Sequence, residues 1–160
     1  MNRDEIRTIA ERYNHSRQKI IFMLRDLQKM NGNNFIEEKQ ARLLSKEINV
    51  PISEIYEIIT FYSMFNEKPK GKYIIEVCNS GPCFVRNSKV IINYVEELLG
   101  IKVGETTEDN FFTLQCTSCI GGCDVAPAMK IGDTLYGNLT KNKLKKILHD
   151  YRREALCQLQ

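Results

Sequence analysis

The sequence predicts an α+β protein, with an N-terminal helical bundle followed by an α/β domain. Three observations predict it. Over the first 66 residues, apolar side chains recur at helical spacing. The polar stretch Lys68-Pro69-Lys70-Gly71 then interrupts the pattern, and β-branched and aromatic runs follow it. Finally, two of those runs lead directly into closely spaced cysteine pairs. The expected division is a helical domain over 1–68 and an α/β domain over 69–160.

The helical half reads as follows. Ile20, Leu24 and Leu27 share one face, with Met23 and Met30 beside them. Asn31-Gly32-Asn33-Asn34 breaks that helix. Ala41, Leu44 and Ile48 form a second stripe, which Pro51 ends. Ser53 is the expected N-cap of a third helix, with Glu54 placed in its first turn. Ile55, Ile58, Ile59 and Tyr62 follow at i, i+3, i+4, i+7. The stripes are expected to pack on one another. Thr60 to Phe65 is rich in large apolar groups at a helix end, and is expected to be core or, in part, a docking surface.

In the second half, Lys72 to Val77 reads as a strand running into Cys78. Ile91, Tyr94, Val95 and Leu98 form a helical stripe closed by Gly100. Phe111 to Gln115 is a second strand leading to the second cysteine pair. Ala128 to Ile131 and Thr134 to Tyr136 flank Gly132-Asp133, a hairpin signal. Thr140 then caps a last helix that carries Leu144, Ile147, Leu148 and Tyr151 on one face. The expected order is β-α-β-β-β-α.

Composition bounds the function. At 160 residues the chain can bury one good core or two small ones. It is 42% hydrophobic and 27% charged, ordinary for a globular protein. A net charge of +3 is too weak and scattered for nucleic-acid binding. Met1 to Arg12 is polar, without the apolar core of a secretory signal. No apolar run approaches the roughly 20 residues that cross a bilayer. A soluble, cytoplasmic chain without direct membrane insertion is expected. In that reducing compartment six cysteines read as ligands or free thiols.

The chemistry lies in four of those cysteines. Cys78 and Cys83 form C-x4-C, Cys119 and Cys123 form C-x3-C, and 35 residues separate the pairs. Both strands deliver their pairs at a carboxyl end. If the strands are neighbours, four sulfurs meet at one end of the sheet. Four thiolates there make a metal or iron–sulfur site. Both gaps exceed the x2 usual in zinc knuckles, which favours iron, and four cysteines suit a 2Fe–2S cluster. The amides of Gly81, Gly121 and Gly122 are placed to donate hydrogen bonds to sulfur. Two other chemistries use the same residues. A zinc ion would brace the two loops of an interaction module with no redox role. A thioredoxin-type dithiol would need C-x-x-C at the helix after the first strand, where this chain has C-x4-C. Cys116-Thr117-Ser118-Cys119 has the right spacing at the wrong end of the chain.

The chain resembles the small, thioredoxin-like 2Fe–2S ferredoxin subunit of NADH-dependent oxidoreductase complexes. Several blocks carry the resemblance, from about Asn33 to Tyr151. They are Val50 to Tyr56 with Thr60 to Phe65, Glu76 to Cys83, Leu99 to Thr107, and Phe112 to Leu114 followed by Cys119 to Cys123. Ala126-Pro127-Ala128-Met129 and Tyr136 to Thr140 complete the set. The resemblance implies a thioredoxin-like α/β domain and a 2Fe–2S cluster held by Cys78, Cys83, Cys119 and Cys123. It implies an electron-transfer subunit with no catalytic residue of its own. The implied partner is a larger flavoprotein with iron–sulfur clusters that binds FMN and NAD(P)H. Through it the chain would serve a hydrogenase, a formate dehydrogenase or a quinone reductase. A soluble NAD(P)-linked hydrogenase, of a kind that can be electron-bifurcating, is the expected complex. The respiratory NADH:quinone oxidoreductase and NAD-linked formate dehydrogenase are the alternatives. Cys116 departs from the family pattern and is expected to be a spare thiol, as is Cys157 in the tail. His15 and His149 sit on polar helices without an expected role. The chain carries neither a G-x-G-x-x-G nor a Walker motif, so no nucleotide site is expected in it.

Overall fold

A computed structural model describes residues 3–157, with side chains to Ala155. The internal contacts fall into two compact units, Met1–Lys72 and Tyr73–Gln160. The first holds α1 (Arg3–Arg12), a 3-10 turn (Arg17–Lys19), α2 (Ile20–Met30), α3 (Glu38–Glu47) and α4 (Ile52–Phe61). Helix α1 is an addition to the sequence reading. Its Ile6, Ile9 and Ala10 are buried with Met23, Leu24, Leu27, Ala41, Leu44 and Ile55 in one cluster. A capping box starts α3, where the Glu37 amide donates to the Gln40 side chain at 3.1 Å.

One expectation for this unit changes. Ser53 does not cap α4. Pro51 holds the N-cap position, in extended backbone with φ −54 and ψ 138, and Ser53 lies inside the helix. Proline suits that place because the amide it lacks has no partner at a helix start. The Thr60 to Phe65 stretch is part core and part surface. Phe65 is buried, while Phe61 and Met64 are exposed at 80% and 53%. The polar stretch Lys68 to Gly71 is tied back to the start of this unit's second half. The Lys70 amide donates to the Asn33 carbonyl at 2.8 Å, and the Asn34 side-chain amide donates to the Gly71 carbonyl at 2.8 Å.

The second unit runs β1 (Tyr73–Cys78), α5 (Gly81–Val85), α6 (Ser88–Leu99), β2 (Phe112–Thr117), β3 (Met129–Ile131), β4 (Thr134–Tyr136) and α7 (Lys141–Cys157). The expected order lacked α5, which occupies the first cysteine segment. The sheet order is β2-β1-β3-β4. Strands β1 and β2 are parallel, and the other pairs are antiparallel. Ile75, Val77, Phe112, Leu114, Met129 and Ile131 from the sheet share a core with Ile91 and Val95 of α6 and Leu144 and Leu148 of α7. Gly100 ends α6 in left-handed backbone at φ 69. Thr140 caps α7 as expected, its hydroxyl accepting from the Lys143 amide at 3.3 Å. The β1–β2 register sets Cys78 beside Thr117, so the two chains leave the sheet at one level. That register positions the site.

Candidate metal centre

Cys78 is the last residue of β1 and Cys83 lies in α5, and both are buried. Pro82 in the first turn of α5 fits a helix start, where no amide hydrogen is needed. The short helix turns Cys83 back toward Cys78, and the two lie in one buried cluster. After β2 the second segment is irregular. Gly121, at φ 84, turns the chain through left-handed backbone so that Cys119 and Cys123 stand 3.5 Å apart, sulfur to sulfur.

Backbone ties join the segments. The Asn79 amide donates to the Thr117 carbonyl at 3.0 Å, and the Cys78 amide to the Ala128 carbonyl at 3.1 Å. The Arg86 guanidinium donates to the carbonyls of Asp124 and Ala126, at 3.3 Å each. Ala126 and Ala128 pack against Cys78 and Cys83, with Ile120 at the edge of the same cluster.

The thiols sense one another, and each pair is split. Burial works to raise the Cys78 thiol, yet hydrogen bonds from Ser80, Cys83 and the Ile120 amide outweigh it and the net shift is downward. Burial pushes Cys83 up, with the proximity of Cys78 and Cys119 adding to the rise. Cys119 is lowered by the Gly121 amide, then by the Cys123 thiol and the Ser80 hydroxyl. Cys123 is raised, chiefly by its hydrogen bond to Cys119. Each pair thus holds one thiol shifted down beside one shifted up.

This arrangement fits a 2Fe–2S cluster. The donor set is four sulfurs in two pairs, and amides of Ser80, Ile120, Ala128 and Gly121 supply hydrogen bonds to them. Of the glycine amides expected to do so, Gly121 is among these.

The four cysteines singled out in the sequence are therefore brought together. Cys116 is not among them. It is exposed on β2, and the charge that raises its thiol, after burial, is that of Glu96 on α6. Cys157 lies outside the described side chains. His15 and His149 are exposed, each within 4.0 Å of an acidic neighbour and far along the chain from the thiols. Sequence reasoning missed Ser80 and Arg86. Both follow the first cysteine closely, yet only the folded chain shows Ser80 against the Cys78 sulfur and Arg86 reaching the second segment.

The family model for the thioredoxin-like [2Fe-2S] ferredoxin matches residues 6–152. A component of the NADH-quinone oxidoreductase of Rickettsia felis is 37% identical over 140 residues, covering 88% of this chain and 84% of that one. The HndA component of the NADP-reducing hydrogenase of Solidesulfovibrio fructosivorans is 35% identical over 132 residues, covering 82% and 76%. Among solved structures, an NAD+-reducing [NiFe]-hydrogenase in the air-oxidised state matches with a TM-score of 0.74 at 19% identity. The match covers 85% of this chain and 23% of that one, so the chain spans under a quarter of that protein's length, and the likeness is one of fold. Among the described residues no helix is long and apolar enough to cross a membrane.

Proposed function

From the premise that this chain belongs to the thioredoxin-like 2Fe–2S ferredoxin family, whose members carry a 2Fe–2S cluster, we propose that Cys78, Cys83, Cys119 and Cys123 hold that cluster. The chain then acts as a cytoplasmic electron-transfer subunit of an NAD(P)H-linked oxidoreductase complex. The observation that carries the reading is the parallel β1–β2 register, which sets Cys78 beside Thr117, two residues ahead of Cys119. The cluster supplies one-electron transfer. The chain's own part is to hold it, donate hydrogen bonds to its sulfurs and shield the Cys78–Cys83 side from water.

Each of the six cysteines is replaced by serine in turn and iron per chain is measured. Iron falls with Cys78, Cys83, Cys119 and Cys123 and stays with Cys116 and Cys157. Loss with Cys116→Ser and retention with Cys119→Ser overturns the assignment.

The complex we propose is a NAD(P)-linked hydrogenase with a larger flavoprotein between this chain and the hydrogenase subunit. HndA, named as part of an NADP-reducing hydrogenase, supports it. The second reading is a NADH:quinone oxidoreductase, supported by the likeness to the Rickettsia felis protein. Native copurification separates them by the largest partner recovered. The unit Met1–Lys72 serves in this reading as the anchor to the flavoprotein, with Phe61 and Met64 as its exposed apolar groups. The unit Tyr73–Gln160 carries the cluster.

A further inference from the structure

Ser80 stands beside the first cysteine pair. Its hydroxyl oxygen lies 3.1 Å from the Cys78 sulfur, at the end of β1. Ser80 is partly buried and caps α5, its carbonyl accepting from the Phe84 amide at 2.8 Å. Its backbone is therefore held on both sides, by the strand before it and the helix after it. Between a hydroxyl and a protonated thiol the direction of such a bond is open. Between a hydroxyl and metal-bound thiolates it is not, because a ligating thiolate has no proton to give and serine has one O–H.

We propose that Ser80 is a potential-setting residue, whose hydroxyl donates to the Cys78 sulfur and raises the reduction potential of the group that sulfur helps to hold. The inference rests on the four-cysteine reading above. A donor aimed at sulfur stabilises the more negatively charged, reduced state more than the oxidised one. Ser80 is suited to this because its hydroxyl lies within hydrogen-bond distance of a ligand sulfur and its backbone is held on both sides. The amides that also reach sulfur belong to the backbone and survive substitution, so the side-chain contribution can be isolated.

The test uses the full-length protein with its cluster, in the wild type and in Ser80→Ala, Ser80→Thr and Ser80→Val. Iron per chain, the visible spectrum and the midpoint potential by redox titration are measured for each. Ser80→Ala is expected to keep its iron and to lower the potential. At the wild-type midpoint its reduced-to-oxidised ratio falls roughly three- to tenfold, and tenfold is about 59 mV for a one-electron couple. Ser80→Thr keeps the wild-type potential. Ser80→Val, which fills the same space without a hydroxyl, falls with alanine.

An alanine or valine variant with full iron and the wild-type potential overturns the proposal. So does a threonine variant that shifts as far as valine. Iron lost from both alanine and valine but kept by threonine assigns the hydroxyl to holding the cluster, and also overturns its role in the potential. Failure of the four-cysteine reading is distinct, since it shows in the iron content of the cysteine variants and not in any Ser80 variant.

Discussion

Cys78 and Cys83 are each 1% exposed, while Cys119 is exposed and Cys123 half-buried. The two pairs meet at one place but are built differently. The first is made by regular structure, with one cysteine ending β1 and the other inside α5, so their spacing follows from local backbone hydrogen bonds. The second lies in irregular chain after β2 and is held by contacts from elsewhere. Arg86 grips the carbonyls of Asp124 and Ala126. The Asn138 amide, just past β4, donates to the Val125 carbonyl at 2.5 Å. The difference teaches that the second pair depends on distant residues for its geometry. It is also the more open side of the site.

Gly137→Ala should break this comparison hardest. A Cβ at Gly137 would stand 2.7 Å from the Val125 carbonyl oxygen and overlap the Val125 side chain. Relief requires moving the backbone that follows Cys123. Overpacking of this kind costs about 1–3 kcal/mol. Urea unfolding should show that loss, and iron per chain should fall with it. Unchanged stability and iron would mean that β4 does not brace the second pair.

Arg86→Ala comes next. It removes two charge-assisted hydrogen bonds from an exposed side chain, worth about 1 kcal/mol at the surface. Hydrogen exchange should quicken at the Ala126 amide, which donates to the Cys123 carbonyl at 3.4 Å, and stay slow at the Cys78 amide. Equal quickening at both would show that the pairs are braced as one body.

The smallest effect concerns the entry to β2. Asp109 accepts hydrogen bonds from Thr107 and, at 3.1 Å, from the Phe111 amide, and pairs with Arg152 at 3.3 Å. The Thr107 hydroxyl, against burial and with help from the Phe111 amide and Arg152, holds its carboxyl below the usual range. A depressed folded pKa means stability that is present above the unfolded value of about 3.9. That stability is lost as pH falls through the folded value. Asp109→Asn should therefore be less stable than wild type near neutrality, by under about 1 kcal/mol given its exposure. The gap should close as pH drops below about 4. A gap that persists at the acidic end would assign the loss to packing instead.

The sequence made the site's ligands legible because sulfur chemistry demands cysteine and short spacing demands a common point. Strand ends at Cys78 and near Thr117 were legible from β-branched runs, and the final helix from its stripe and Thr140. Other features were hidden for physical reasons. The burial of Ile6, Ile9 and Ala10 was masked by the charged residues around them, so α1 looked like polar chain. Gly81 and Pro82 read as loop, although proline at a helix start is well tolerated and α5 begins there. Arg86 carried no signal, since its partners come from a segment about 40 residues onward.

The central claim is that one chain carries one 2Fe–2S cluster on four cysteines. The most direct measurement is metal and acid-labile sulfide content of the purified full-length protein, read beside its visible spectrum. The account predicts a brown protein with two irons and two sulfides per chain, the content of one [2Fe-2S] cluster, and no zinc. A colourless protein holding one zinc per chain would contradict it.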